Sequence, residues 1–133
     1  MQVELLVSKL LHVPAIQGIV GDRIALARLP HNAQYPSLVY NVVNDVPHPM
    51  INYRGATLHK SRIQINPLSH SIGEIKSIID AVNNSINFVQ NTEVDEALVV
   101  WCRLDLIGPM DKDDETNVWT QSVDYLIDYY PKV

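Results

Sequence analysis

Few residues in this 133-residue chain are able to do chemistry, and their spacing keeps most of them apart. The histidines are His12, His31, His48, His59 and His70, and no two make the i, i+4 helical pair that grips zinc from one helix face. The single cysteine, Cys102, cannot form an internal disulfide or a multi-cysteine zinc site. It falls on the apolar parity of a strand, where a small buried hydrophobe is expected in place of a nucleophile. The acidic run Asp111, Asp113, Asp114 and Glu115 invites a calcium reading, which fails twice. The position that needs glycine for the sharp turn is Thr116, and the position of the bidentate glutamate is Ser122. Asp124 and Asp128 share a strand face but have no partner for acid–base work. Five scattered glycines leave no segment to cradle a phosphate, and there is no nucleophile elbow or dinucleotide fingerprint. The expectation is a protein with no catalytic residue, no metal and no cofactor, and so not an enzyme.

The elements that would carry these residues follow from periodicity. Val3, Leu6, Val7, Leu10 and Leu11 recur at helical spacing, and Pro14 ends that helix or starts a short second piece over residues 14–20. Strands are expected at 23–29, at 37–46 with Pro36 at its start, and at 57–66, where Ile63 and Ile65 alternate with Arg62, Gln64 and Asn66. Between the last two, residues 47–55 hold two prolines and a glycine, which reads as a long loop exposing Met50, Ile51, Tyr53 and Arg54 as a contact surface. Ser71 and Glu74 form a capping-box pattern ahead of a helix with the stripe Ile72, Ile75, Ile79, Val82 and Ile86, weakened at its end by Asn83-Asn84-Ser85. Two more strands follow. In 97–107, Leu98, Val100, Cys102, Leu104 and Leu106 share a face, and in 118–130, Trp119, Val123, Tyr125, Ile127 and Tyr129 do. Residues 108–117 lie between them as a loop.

The expected fold is therefore α+β in the order α-β-β-β-α-β-β, an antiparallel sheet of four to five strands with two main helices packed on it. Residues 1–133 make one domain of ordinary size, with a globular 47% of apolar residues. No apolar run approaches the ~20 residues of a membrane helix, so no membrane partner is expected. Glu4 and Lys9 inside the first apolar stretch argue against a signal peptide, and the expected setting is a reducing cytoplasm.

A net charge of −5 argues against a dedicated nucleic-acid binder. The charge is uneven: residues 1–88 hold seven basic and five acidic side chains, a net of +2, and residues 89–133 hold three and ten, a net of −7. Either the two signs mix on the folded surface, or a basic side meets a neighbour's acidic side in a head-to-tail contact.

Gly21-Asp22-Arg23-Ile24, Leu29-Pro30, Ala33-Gln34-Tyr35-Pro36 and Leu38-Val39-Tyr40, then Arg62-Ile63-Gln64-Ile65-Asn66 feeding the second helix, resemble the tail-completion and tail-terminator proteins of tailed bacteriophages. The resemblance spans about residues 3 to 130 and carries over no catalytic residue. It implies a structural virion protein of the tail or neck, assembled in the host bacterial cytoplasm. Its copies would form a ring, a hexamer, that terminates the tail tube and joins it to the head-side connector, with DNA passing transiently through the lumen. Met50, Ile51, Tyr53 and Arg54 would then meet a tail or connector partner. Asp111, Asp113, Asp114 and Glu115 would line the lumen or meet a basic patch on a neighbouring subunit. The contrasting class is a small adaptor or ligand-binding α+β domain without catalysis.

Overall fold

Apolar residues at helical and at alternating spacing meet in one core between three helices and one face of a six-stranded sheet, in a computed structural model that describes residues 1–132. Helix α1 (Val3–Leu11) buries Val3, Leu6, Val7 and Leu11. Pro14 supplies the preset φ of a first helical turn, so the chain restarts as α2 (Pro14–Val20) after a bend of 79°. Strand β1 (Ile24–Leu26) lies parallel to β2 (Ser37–Tyr53), which runs back antiparallel into β3 (Ala56–Ser69). Helix α3 (Ile72–Ile86) crosses the core, and β4 (Gln90–Val94), β5 (Ala97–Asp113) and β6 (Val118–Tyr130) complete the sheet in the order β1-β2-β3-β6-β5-β4. Among the described residues no helix is long and apolar enough to cross a membrane.

The α+β class stands, with three corrections of detail. The sheet is mixed, because β1 pairs in parallel with β2. It has six strands, because the polar segment Gln90–Val94, which carries no apolar alternation, pairs along β5. β2, β3 and β5 also run further than apolar patterning suggests, whereas the strand expected at 23–29 is only Ile24–Leu26, because Ala27 takes a left-handed φ of 68°. Residues 47–55 are not a loop: β2 continues to Tyr53, and Arg54 and Gly55, at φ 51° and 81°, make the two-residue turn into β3. That turn needs left-handed backbone at both positions, which Asn-Gly usually signals and Arg-Gly does not. Pro47 and Pro49 are tolerated because β1 covers β2 only at Leu38–Tyr40, so the rest of β2 is an edge. Residues 108–117 are likewise mostly strand, with β5 and β6 joined by a short turn after Asp113.

Helix α3 is capped as its sequence implies, with the Glu74 amide donating to Ser71 Oγ at 3.4 Å. The Glu74 carboxylate does not return to the Ser71 amide directly. Ser69 relays the contact: its hydroxyl donates to Glu74 and accepts from the Ser71 amide. The buried stripe is Ile75, Ile78, Val82 and Ile86. Ile72 is 45% exposed and Ile79 is only half-buried, so the stripe sits one step round from the sequence reading. Asn83 does not fray the helix, because its Oδ1 accepts from the hydroxyl of buried Tyr125 at 3.1 Å.

On β5 the simple parity fails. Ala97 and Val99 are buried, a register shift falls between Val99 and Trp101, and Cys102 then takes the core-facing position. A second shift between Leu104 and Leu106 leaves Leu106 and Ile107 exposed. β6 keeps its phase, burying Val123, Tyr125, Ile127 and Tyr129, with Trp119 half-buried on the same strand.

Candidate functional site

The registers place the two proposed contact segments at opposite ends of the sheet. Ser37 pairs with Leu68, Leu68 with Thr120 and Thr120 with Asp111, which defines one end. His59 pairs with Tyr129 and Tyr129 with Val99, which defines the other. The β2–β3 hairpin tip extends past the Tyr129 level and the β5–β6 turn extends past Thr120, so the two tips lie diagonally across the molecule.

At the hairpin tip, the register jumps between His48/Leu58 and Asn52/Thr57, so β2 carries extra residues that bulge outward. Met50 is 92% exposed as a result, and Ile51 and Tyr53 are exposed beside it. The Tyr53 ring lies 5.7 Å from that of Tyr130 and carries the Arg54 guanidinium 5.0 Å from its centroid. An apolar tip with a cation stacked on its aromatic ring suits a protein partner.

At the other end, the four carboxylates are exposed and split between strand and turn. Asp111 and Asp113 belong to β5, whereas Asp114 and Glu115 form the turn, closed by the Asn117 amide donating to the Asp113 carbonyl at 2.8 Å. Asp113 Oδ1 also accepts from the Glu115 amide at 2.9 Å. Lys112 is drawn away over Trp119, 5.5 Å from its centroid, and leaves the carboxylates without an ion pair among the described residues.

The sheet face turned away from the helices carries a charge ladder that sequence reading missed. Arg62 on β3 bridges Asp105 at 2.7 Å and Asp124 at 3.1 Å, and both carboxylates raise its pKa further, Asp105 most. Arg103 lies 4.4 Å from the Trp101 centroid and 3.5 Å from Asp128. Asp124 and Asp128 are therefore structural counter-ions. The signal was available: Arg62 in β3 and Asp124 in β6 both alternate outward, and pairing those two strands brings them together. A cleft of about 280 Å³ opens on this face between Lys60, Arg62, Arg103 and Asp128.

The remaining reactive groups are held in ways that fit structural roles. Burial pushes the Cys102 thiol up to about 12, opposed only by Arg103, so it is not a thiolate nucleophile. Asp45 accepts from the Tyr129 hydroxyl at 3.0 Å and meets His59 Nδ1 at 3.1 Å, tying β2, β3 and β6 together. His12 contacts the Ser8 carbonyl one helical turn away, and His70 contacts the Asn117 carbonyl in the β5–β6 turn, both at the exposed surface. Among the described residues no cluster of three or more histidine, cysteine or carboxylate side chains could hold a metal.

A second small feature lies outside β1, where Ile24, Ala25, Leu29, Pro30 and Ala33 wall a largely apolar cleft of about 210 Å³ together with Asp22 and Arg23. Arg23 is fixed there by its Nε donating to the Pro36 carbonyl at 2.7 Å. Sequence reading gave this stretch a short strand, a break and the motifs of the family resemblance, and no cleft.

Comparison with solved structures finds the same fold in a chain of the "Virion of native gene transfer agent (GTA) particle", with a TM-score of 0.66 at 8% identity. The match covers 94% of this chain and 91% of that one. No curated protein matches the sequence. The family model described as Tail completion protein gp17 matches residues 4–128, so nearly every element from α1 to β6 falls inside it. The chain belongs to the tail completion protein family.

Proposed function

We propose that this structural tail protein assembles into a homo-oligomeric ring of six copies that closes the finished tail tube. The ring joins the tube to the head-side connector, and DNA passes through its centre at ejection. The protein acts in the tail or neck of a phage-type particle and is assembled in the host bacterial cytoplasm. It catalyses no reaction.

The observation that carries this reading is the family match over residues 4–128. The arrangement of the surface supports it. A ring subunit must offer two different patches to identical neighbours, because a heterologous contact closes into a ring only when each patch meets its unlike counterpart. The apolar tip with Arg54 is one such patch, and the turn that carries Asp111, Asp113, Asp114 and Glu115 lies diagonally away from it. The acidic turn is assigned to the lumen, where unpaired carboxylates repel phosphates and let DNA slide without sticking. Purified protein imaged by negative stain, alone and on isolated tail tubes, tests the reading. Rings with a central hole at the tube end are expected, and bare tubes beside a monomeric protein at high concentration refute it.

A further inference from the structure

We infer that the apolar cleft beside β1 receives the β2–β3 hairpin tip of a second copy, with Met50 inserted and Arg54 meeting Asp22. This rests on the ring reading above and specifies the contact between its subunits.

The cleft holds about 210 Å³, walled by Ile24, Ala25, Leu29, Pro30 and Ala33. Ligand sites usually run about 300–1,000 Å³, so this one is the size of a socket for a side chain. Met50 is the side chain most in need of a socket, being 92% exposed on a bulge that holds it clear of the sheet. An unbranched thioether also adapts to an irregular hole better than a branched residue. Charge agrees with shape. Asp22 lies at the cleft, exposed, with no ion-pair partner among the described residues. Arg54 is exposed beside the tip, stacked on Tyr53 and likewise free of any carboxylate.

One copy cannot satisfy both features itself. The cleft sits level with Leu38, the partner of Ile24, and the tip lies about a dozen residues further along β2, roughly 40 Å away. Knob and socket are therefore different patches of one sheet, which is the geometry of a heterologous contact.

The test uses the full chain at low salt, with ring formation scored by sedimentation velocity in solution and by copy number on isolated tail tubes. Met50→Asp should leave the fold and the thermal midpoint of the dissociated chain at high salt unchanged, because the side chain is exposed, yet weaken each subunit contact about tenfold or more. Arg54→Asp and Asp22→Arg should each weaken it about two- to fivefold, and the double variant should recover the loss. Wild-type rings that persist unchanged in Met50→Asp and in both charge variants overturn this contact and leave the ring intact. Rings that form normally in Met50→Asp but no longer bind tubes or connector assign the tip to that partner and also overturn it. A wild-type chain that forms no ring in solution or on tubes overturns the ring reading itself.

Discussion

Helix α3 allows a sharp energetic test, because the structure moves its buried stripe from Ile79 to Ile78. Ile78 is 1% exposed and enclosed by the core, whereas Ile79 packs against the core from a half-buried position. Ile78→Ala removes three carbons, worth about 2.4 kcal/mol at ~0.8 kcal/mol for each buried methylene. A residual cavity adds to this, and the usual range for such truncations is about 2–5 kcal/mol. For a domain of this size, each kcal/mol moves the thermal midpoint by about 3–5 °C, so the transfer loss alone lowers it by about 7–12 °C and a residual cavity by more. Ile79→Ala should cost about half as much, and Ile72→Ala, on a 45% exposed side chain, under ~0.5 kcal/mol. Urea unfolding followed by Trp101 and Trp119 fluorescence measures all three at one protein concentration, which matters because assembly also stabilises the folded chain. The transition midpoint should shift at constant m-value. An Ile79→Ala loss equal to or larger than that of Ile78→Ala refutes the placement of the stripe and returns it to the position sequence periodicity alone would give.

Three further outcomes are expected. Tyr129→Phe removes the hydroxyl that donates to Asp45 and should cost about 1 kcal/mol by urea unfolding, with no change in ring formation. Cys102 should resist a thiol reagent at pH 8 until the chain is unfolded. Since its pKa is raised in the fold, its contribution to stability is complete below the ordinary thiol value of 9.0 and is lost as pH rises towards about 12; Cys102→Ala should lessen that alkaline slope, and the buried Tyr125 and Tyr129 hydroxyls, also raised by burial, should keep the rest of it. Changing Asp111, Asp113, Asp114 and Glu115 to Asn and Gln should spare ring assembly and slow genome ejection; weaker rings with a flattened salt dependence would move the turn from the lumen to a subunit edge.

Much of the fold was legible because burial here follows simple periods. Leu6, Val7 and Leu11, the Ile63 and Ile65 alternation, and the run from Val123 to Tyr129 each keep phase with one element, and the structure buries all of them. What escaped were features without an apolar signature. β4 is polar and lies at the sheet edge. The β2–β3 turn uses arginine where left-handed backbone usually calls for asparagine or glycine. The register shifts in β5 change which parity faces the core, and no single-strand pattern encodes that. For the site, exposure of Met50, Ile51 and Tyr53 was readable from their prolines and polar neighbours. Their projection on a paired hairpin was not, because edge position, which excuses Pro47 and Pro49, is a property of the whole sheet. The Arg62 ladder escaped because strand order was missing, although both of its faces were visible.

The open stretches of β2 and β5 have a consequence for how the protein survives before it is used. Beyond β1 and β4, long runs of backbone on both edges of the sheet have no strand beside them among the described residues, a template on which identical chains could stack without limit. Pro47, Pro49 and Pro109 each delete an amide donor from those runs, and the irregularities after Val42, His48, Leu104 and Ile107 break their flatness. These features oppose the edge-to-edge stacking of free chains into fibres.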